Sequence, residues 1–265
     1  MNLPIILMNA AQEAQKTGLW AAFVNFLSSI LESLNKITGS IPEPFGGYGL
    51  AIVLFTLLMR LVLLPLDLRS RKANYKIQEI QPQLSELQKK YKNDPEKLNK
   101  KTMELYQKHQ INPLGGCLPM LLQMPLFFAL FAALRAIAEG AVKNGTVSAF
   151  LWIRNIWHPD SPLINSANQK IAPFGPGFNG LFILAVLAGV TSYFQIKLSQ
   201  PKDSSNQQMK GFAAIMPLMS VWFCVQYAAA SAIYWVTSNV FQIVQQLILR
   251  KHLTPQPEAK EGEKK

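Results

Sequence analysis

Polar and apolar positions along this chain segregate into long blocks. The first long apolar block, Tyr48 to Asp67, reads YGLAIVLFTLLMRLVLLPLD and carries one arginine, Arg60, inside it. About 20 residues at about 1.5 Å each cover the ~30 Å hydrocarbon core of a bilayer, so the pattern predicts a transmembrane span over 48–67. Before it, Trp20, Phe23, Val24, Leu27, Ile30, Leu31, Leu34 and Ile37 recur at helical spacing with Asn25, Ser28, Ser29, Glu32 and Lys36 opposite. That spacing predicts an amphipathic helix lying in the membrane interface, with a sixth span as the alternative. Residues 1–16 hold a short apolar patch, LPIILM, with no basic region before it and no lipobox-like cysteine after it, which weakens the case for a cleaved signal, and the segment is treated as unstructured. The linker GSIPEPFGG separates the amphipathic helix from the first span, so 1–47 forms one N-terminal segment.

After Asp67 the pattern turns polar. Residues 68–112 carry eleven Lys or Arg, with Ile77, Ile80, Leu84, Leu87 and Tyr91 alternating spacings of three and four. This predicts a helix with a narrow apolar seam that packs on one partner. Asn93-Asp94-Pro95-Glu96 then offers an acidic cap followed by proline at a first helical position, and the next helix carries Leu98, Thr102, Leu105 and Tyr106 on one face. A basic antiparallel hairpin is expected.

A second span is expected over 113–138, kinked by Pro113, Pro119 and Pro125. The loop 139–177 holds few basic residues, and its Trp152 and Trp157 suit a membrane interface. A third span over 178–198 carries Thr191, Ser192 and Gln195, and a polar loop, 199–211, follows. Phe212 to Leu249 has no charge over 38 residues. That is about 57 Å of helix, nearly twice the hydrocarbon thickness, so 212–249 is expected to fold as two spans with a turn near Ala228 to Ser231. Placing the basic hairpin, the 199–211 loop and the tail 250–265 on the cytoplasmic side puts the N-terminus and the long loop outside.

Composition agrees with this reading: 49% of the 265 residues are hydrophobic and 15% charged. The fold class is therefore all-α and polytopic, a five-transmembrane-helix core with a cytoplasmic helical hairpin and an N-terminal interfacial amphipathic helix. The net charge of +11 sits in particular loops. It reads as a topology signal, and no direct nucleic-acid function is expected. Cys117 and Cys224 lie inside apolar blocks and read as packing residues, with no disulfide or metal site.

The sequence contains no GxxxxGK[ST], HExxH or GxSxG motif, and His109, His158 and His252 are scattered. An enzyme is not expected, nor any cofactor or metal. Arg60 is the outlier, because an arginine at mid-membrane costs about 2.5–3.5 kcal/mol on insertion scales. Thr56 lies one turn before it on the same face, while Gln123, Gln195, Gln226, Tyr234, Ser238 and Asn239 sit in other spans. Asp67 falls at a span end and the other spans lack carboxylates, so the expected stabiliser of Arg60 is water in a cavity open to the near side. For each neutral polar group the plainer reading is an interhelical or back-bonded hydrogen bond.

Three runs carry a family resemblance: MRLVLLPLDLRSRKANYKIQEIQPQLSELQKKY, YQKHQINPLGGCLPMLLQMPLFFALF and IYWVTSNVFQIVQQ. They resemble the YidC family of membrane protein insertases, relatives of the mitochondrial Oxa and chloroplast Alb proteins, over residues 45 to 250. NPLGGCLPMLLQMP is the most specific run. The resemblance implies a five-helix core with a cytoplasmic hairpin, and a hydrophilic groove closed outside but open to cytoplasm and lipid. A positive charge in that groove would draw in the polar or acidic tail of a client. Arg60 matches the groove arginine, and Gln195 and Trp235 match lining positions. The expected client-binding groove is thus Arg60, Thr56, Gln195, Trp235, Gln123 and Tyr234. Implied partners are nascent membrane proteins and the lipid bilayer, with a Sec translocon, ribosome or targeting factor at the hairpin. The resemblance implies a bacterial cell membrane location and the short form of Gram-positive and related bacteria. One departure is Ala228, where the family often has proline before its Tyr-Trp motif. A small-solute channel or permease is the alternative function, and a structural scaffold a third.

Overall fold

The structure, a computed structural model, describes residues 18–111, 118–165, 168–199 and 207–253. Among these, eight helices account for the regular structure: α1 (Gly18–Thr38), α2 (Gly47–Glu79), α3 (Gln81–Lys90), α4 (Pro95–Lys108), α5 (Leu118–Lys143), α6 (Ile183–Ser199), α7 (Gln207–Gln226) and α8 (Ala229–Leu253). Short-range bridges such as Phe150 with Ile153 occur in the loop before α6, but no strand forms among the described residues.

Helix α1 buries Val24, Leu27 and Leu31 against α2 and α5 and leaves Leu19, Phe26 and Ile37 exposed. Its end is tied to the start of α2, where the Thr38 hydroxyl donates to the Gly47 carbonyl at 2.8 Å. Pro42 and Pro44 lie in the linker between them, where each lacks the N–H a helix would need.

The change of composition at Asp67 does not end the helix. Helix α2 continues through Pro65 and Asp67 to Glu79, so the first span and the start of the basic segment are one helix of 33 residues. Charge does not end a helix; Lys, Arg, Glu and Gln are good helix formers. The break comes at Ile80, just before the Gln81-Pro82 pair that opens α3, which divides the seam assigned from sequence to a single helix. Asp94 caps α4 by accepting from the Lys97 N–H at 3.1 Å, and this bond holds its carboxyl below the ordinary range. Ile80, Leu84 and Ile111 form the hairpin's own small core with Ile77, Leu105 and Tyr106 around it.

Helix α5 runs without interruption through Pro119 and Pro125 and on to Lys143, five residues beyond the expected end at 138. Pro113 and Cys117 lie outside the described residues, as do residues 1–16 and most of the 199–211 loop and the tail. Helix α6 starts at Ile183 instead of 178, because residues 168–182 are held in loop geometry by side-chain bonds described below. The chain leaves helix at Tyr227 and Ala228 and re-enters at Ala229.

Helix α6 packs on both α7 and α8, α8 packs on α2, and α2 on α1, so α8 stands between α6 and α2. Small residues permit these approaches: a Cβ on Gly189 would lie 2.6 Å from Val221 Cγ2 of α7. The loop 144–182 covers one end of the bundle. Phe150 sits against Gly49 of α2, while Ile156 and His158 carbonyls accept from the Ala230 and Ala229 N–H groups of α8, each at 2.9 Å. Trp157, expected at an interface, is buried and meets the Tyr48 ring edge-on at 5.1 Å. The N-terminal ends of α2, α6 and α8 all meet this loop, and at the opposite end Gln78 of α2 donates to the Ser199 carbonyl of α6 at 3.3 Å and Ser199 donates to Gln246 of α8, so the three helices run parallel.

Candidate functional site

Arg60 points from α2 into the seam with α8 and is only 6% exposed. Its Nε donates to Ser238 Oγ at 3.1 Å, and Nη2 bonds the same hydroxyl. Nη1 faces Asp67 Oδ2 at 3.8 Å, an ion pair without a hydrogen bond. The sequence reading left Arg60 without a protein partner, and the structure gives it two, Ser238 and Asp67. Asp67, set aside as a span-end residue, lies seven residues on, which is two turns of α2 and the same face, and it is itself 8% exposed.

The six residues of the expected groove divide between places. Arg60, Gln123 and Tyr234 come together: the Gln123 side-chain amide of α5 donates to the Tyr234 hydroxyl, and Tyr234 lies one turn from Ser238 on α8. Thr56 is fully buried and its hydroxyl donates back to the Ile52 carbonyl at 2.6 Å, the plainer of its two sequence readings. Gln195 and Trp235 belong to the other side of α8. Trp235 Nε1 donates to Ser192 Oγ at 3.2 Å, and Gln195 Nε2 to Gln242 Oε1 at 3.3 Å.

The division follows from helix geometry. At about 100° per residue, Tyr234, Ser238 and Gln245 share one face of α8 toward α2, and Trp235, Asn239, Gln242 and Gln246 another toward α6. The second face is a continuous ladder. Asn239 Nδ2 reaches Ser192 Oγ at 2.9 Å and Thr191 Oγ1 at 3.2 Å, Ser192 donates to Ser220 of α7 at 2.9 Å, and Ser199 donates to Gln246 at 3.0 Å. The first face carries the charge and is less satisfied: Asp67 Oδ2 and both polar atoms of the Gln245 amide are buried without a hydrogen-bond partner. Ser220, Gln242, Gln245 and Gln246 escaped the sequence reading. Their signal is the spacing of seven from Ser238 to Gln245, matching that from Arg60 to Asp67.

The side chains can polarise and attract an anion, but they offer no nucleophile with an adjacent base, and among the described residues no group of three or more His, Cys, Asp or Glu could hold a metal. Cys224 is buried in the apolar core against α8, a packing residue. Outside the seam, large apolar side chains face outward, including Leu61 and Val62 of α2, Val190 and Phe194 of α6, Leu218 and Trp222 of α7, and Val244 and Leu247 of α8. In water such a surface would aggregate; in lipid it costs nothing. Among the described residues, α2 and the Gln123–Lys143 part of α5 are long and apolar enough to cross a bilayer, while Ile183–Ser199 and Ala214–Gln226 are apolar but shorter.

Fold and site together define a helical membrane protein with polar seams inside and apolar faces outside. The model of the family described as 60Kd inner membrane protein matches residues 40–256, and the chain belongs to that family, the one in which the YidC insertases fall. It is 35% identical over 226 residues to the protein of Fusobacterium nucleatum named membrane protein insertase YidC, covering 85% of this chain and 94% of that one. The identity is 36% over 225 residues to the protein of that name from Caldanaerobacter subterraneus, covering 85% and 96%. Among solved structures, a YidC insertase resolved with its first transmembrane domain superposes with a TM-score of 0.60 at 23% identity, over 86% of this chain and 46% of that chain. These relatives give no support to the channel reading.

Proposed function

We propose that this protein is an insertase that lowers the barrier for passing the polar flank of a client across the membrane, while burial of the client's apolar segment drives the process. The supporting observation is Arg60, a buried guanidinium whose hydrogen bonds go to the neutral hydroxyl of Ser238, while the carboxylate beside it, Asp67, stands 3.8 Å away without a hydrogen bond to it. A fixed positive charge in a medium of low dielectric attracts a carboxylate far more strongly than it would in water. Each 1.4 kcal/mol removed from the crossing barrier is about tenfold in rate, and no bond need be hydrolysed.

In this reading the hairpin α3–α4 and the C-terminal tail are cytoplasmic and the 144–182 loop is outside, covering the far ends of α2, α6 and α8. The partners are nascent membrane proteins, with the basic hairpin as the place where a Sec translocon, ribosome or targeting factor docks. The client approaches through the α2–α8 seam, where Arg60, Gln123 and Tyr234 meet, and Gln195 and Trp235 line the neighbouring α6–α8 face.

The test is insertion of an acidic-tailed single-span client into vesicles containing purified protein. Arg60→Lys should keep most of the activity and Arg60→Ala should lose at least tenfold. An Ala variant as active as the wild type would overturn the assignment.

A further inference from the structure

Arg60 is held by one edge. Nε and Nη2 are committed to Ser238, while Nη1 faces Asp67 at 3.8 Å, too far for a hydrogen bond. A guanidinium binds a carboxylate best through two parallel N–H groups, and Asp67 achieves neither of them. Its Oδ2 is buried and accepts no hydrogen bond, so the attraction it feels is charge alone. A second cation stands nearby. Arg71, one turn beyond Asp67 on α2, also lies within Coulombic reach of this carboxylate.

We propose that Asp67 is a specificity-determining residue that competes with the client for Arg60. At rest it neutralises much of the guanidinium's field. An incoming carboxylate takes the Nη1 edge with hydrogen bonds that Asp67 does not make, and Asp67 relaxes toward Arg71, so the charge stays balanced through the exchange. A neutral polar tail cannot offer that exchange, so Asp67 sets how strongly a client must be acidic before it displaces the internal partner. The inference rests on the insertase reading and adds to it a threshold set by this chain's own carboxylate.

The experiment compares two single-span clients, one with an acidic tail and its twin with each tail carboxylate replaced by the amide. Initial insertion rates are measured in vesicles of defined lipid holding the full-length protein. The readout is the ratio of acidic to amide client, which a merely structural role of Asp67 would leave unchanged because both rates would fall together. Asp67→Asn removes the competitor and should raise the ratio at least threefold. Asp67→Glu lengthens the side chain by one methylene, brings a carboxylate within bonding reach of Nη1 and should lower the ratio at least threefold. A ratio unmoved in the Asn variant, or, if that variant does not fold, unmoved in the Glu variant, overturns the proposal. No insertion by the wild type of either client would instead count against the insertase reading itself.

Discussion

Removing the carboxylate of Asp160 should unfasten the loop from the helices it covers. The side chain is 0% exposed, with Oδ1 accepting from the Leu181 N–H and Oδ2 from the Leu184 N–H, each at 2.7 Å, and Trp152 Nε1 adding a longer bond at 3.4 Å. These are the otherwise unpaired donors at the start of α6, reached by a residue some twenty positions earlier in the chain. A hydrogen bond to a charged group contributes about 1.5–3 kcal/mol, so losing the two short ones in Asp160→Ala costs about 3 kcal/mol or more, and the buried N–H groups are left without partners. Asp160→Asn keeps one acceptor oxygen and turns an NH₂ toward the other donor, and should lose about half as much. At about 2–4 °C per kcal/mol for a chain of this size, the Ala variant melts about 6–12 °C lower, read by thermal unfolding in detergent. Hydrogen exchange at the Leu184 amide should accelerate in the same order, wild type, Asn, Ala. An Ala variant melting within about 2 °C of the wild type, with Leu184 still protected, would refute the argument. Gly180 provides a check at the other partner: a Cβ there would lie 1.9 Å from Asp160 Oδ1, so Gly180→Ala should reproduce the loss without touching a charge.

Further expectations concern other contacts. Gly189→Ala forces a Cβ to 2.6 Å from Val221 Cγ2 and should cost about 1–3 kcal/mol of stability; adding Val221→Ala should recover part of it, and strictly additive melting losses would refute the packing account. Burial holds the His158 imidazole below its ordinary value of 6.5, so the unfolded chain takes the proton first as pH falls. Stability tied to His158 is therefore complete at higher pH and drains away below about 6.5, which should appear as faster exchange of the Ala229 amide on acidification and be flattened in His158→Gln. Asp94→Ala should fray the start of α4, seen as faster exchange at the Lys97 amide with the α2 amides near Arg60 unchanged.

What the sequence made legible was whatever a single helix decides for itself. The apolar run at 48–67, the Asp94-Pro95 start of α4 and the excess length of 212–249 each follow from local pattern, and the helices lie where those patterns fall. The continuation of α2 past Asp67 was hidden because hydropathy reports a change of solvent, and a helix can pass from one solvent to another without ending. The division of the expected groove residues between two faces of α8 was hidden for a different reason. Gln195, Trp235 and Arg60 all belong to polar positions of neighbouring helices, but which face of α8 meets α2 and which meets α6 depends on how three helices rotate against one another. The start of α6 was likewise hidden, because Asp160 and Asn179 hold the preceding residues by bonds that span about twenty positions.

Because α2 is unbroken from Gly47 to Glu79, the basic hairpin and Arg60 share a rod with no slack linker between them. From Arg60 to Glu79 is about 28 Å of helix. A load applied to the hairpin therefore arrives at the guanidinium as tilt or rotation, as at the end of a lever, instead of dissipating in a flexible joint. Pro65 leaves the Leu61 carbonyl without its helical donor, which makes the turn just past Arg60 the softest point of that lever. Gln78, bonded to the Ser199 carbonyl, is where its far end bears on α6.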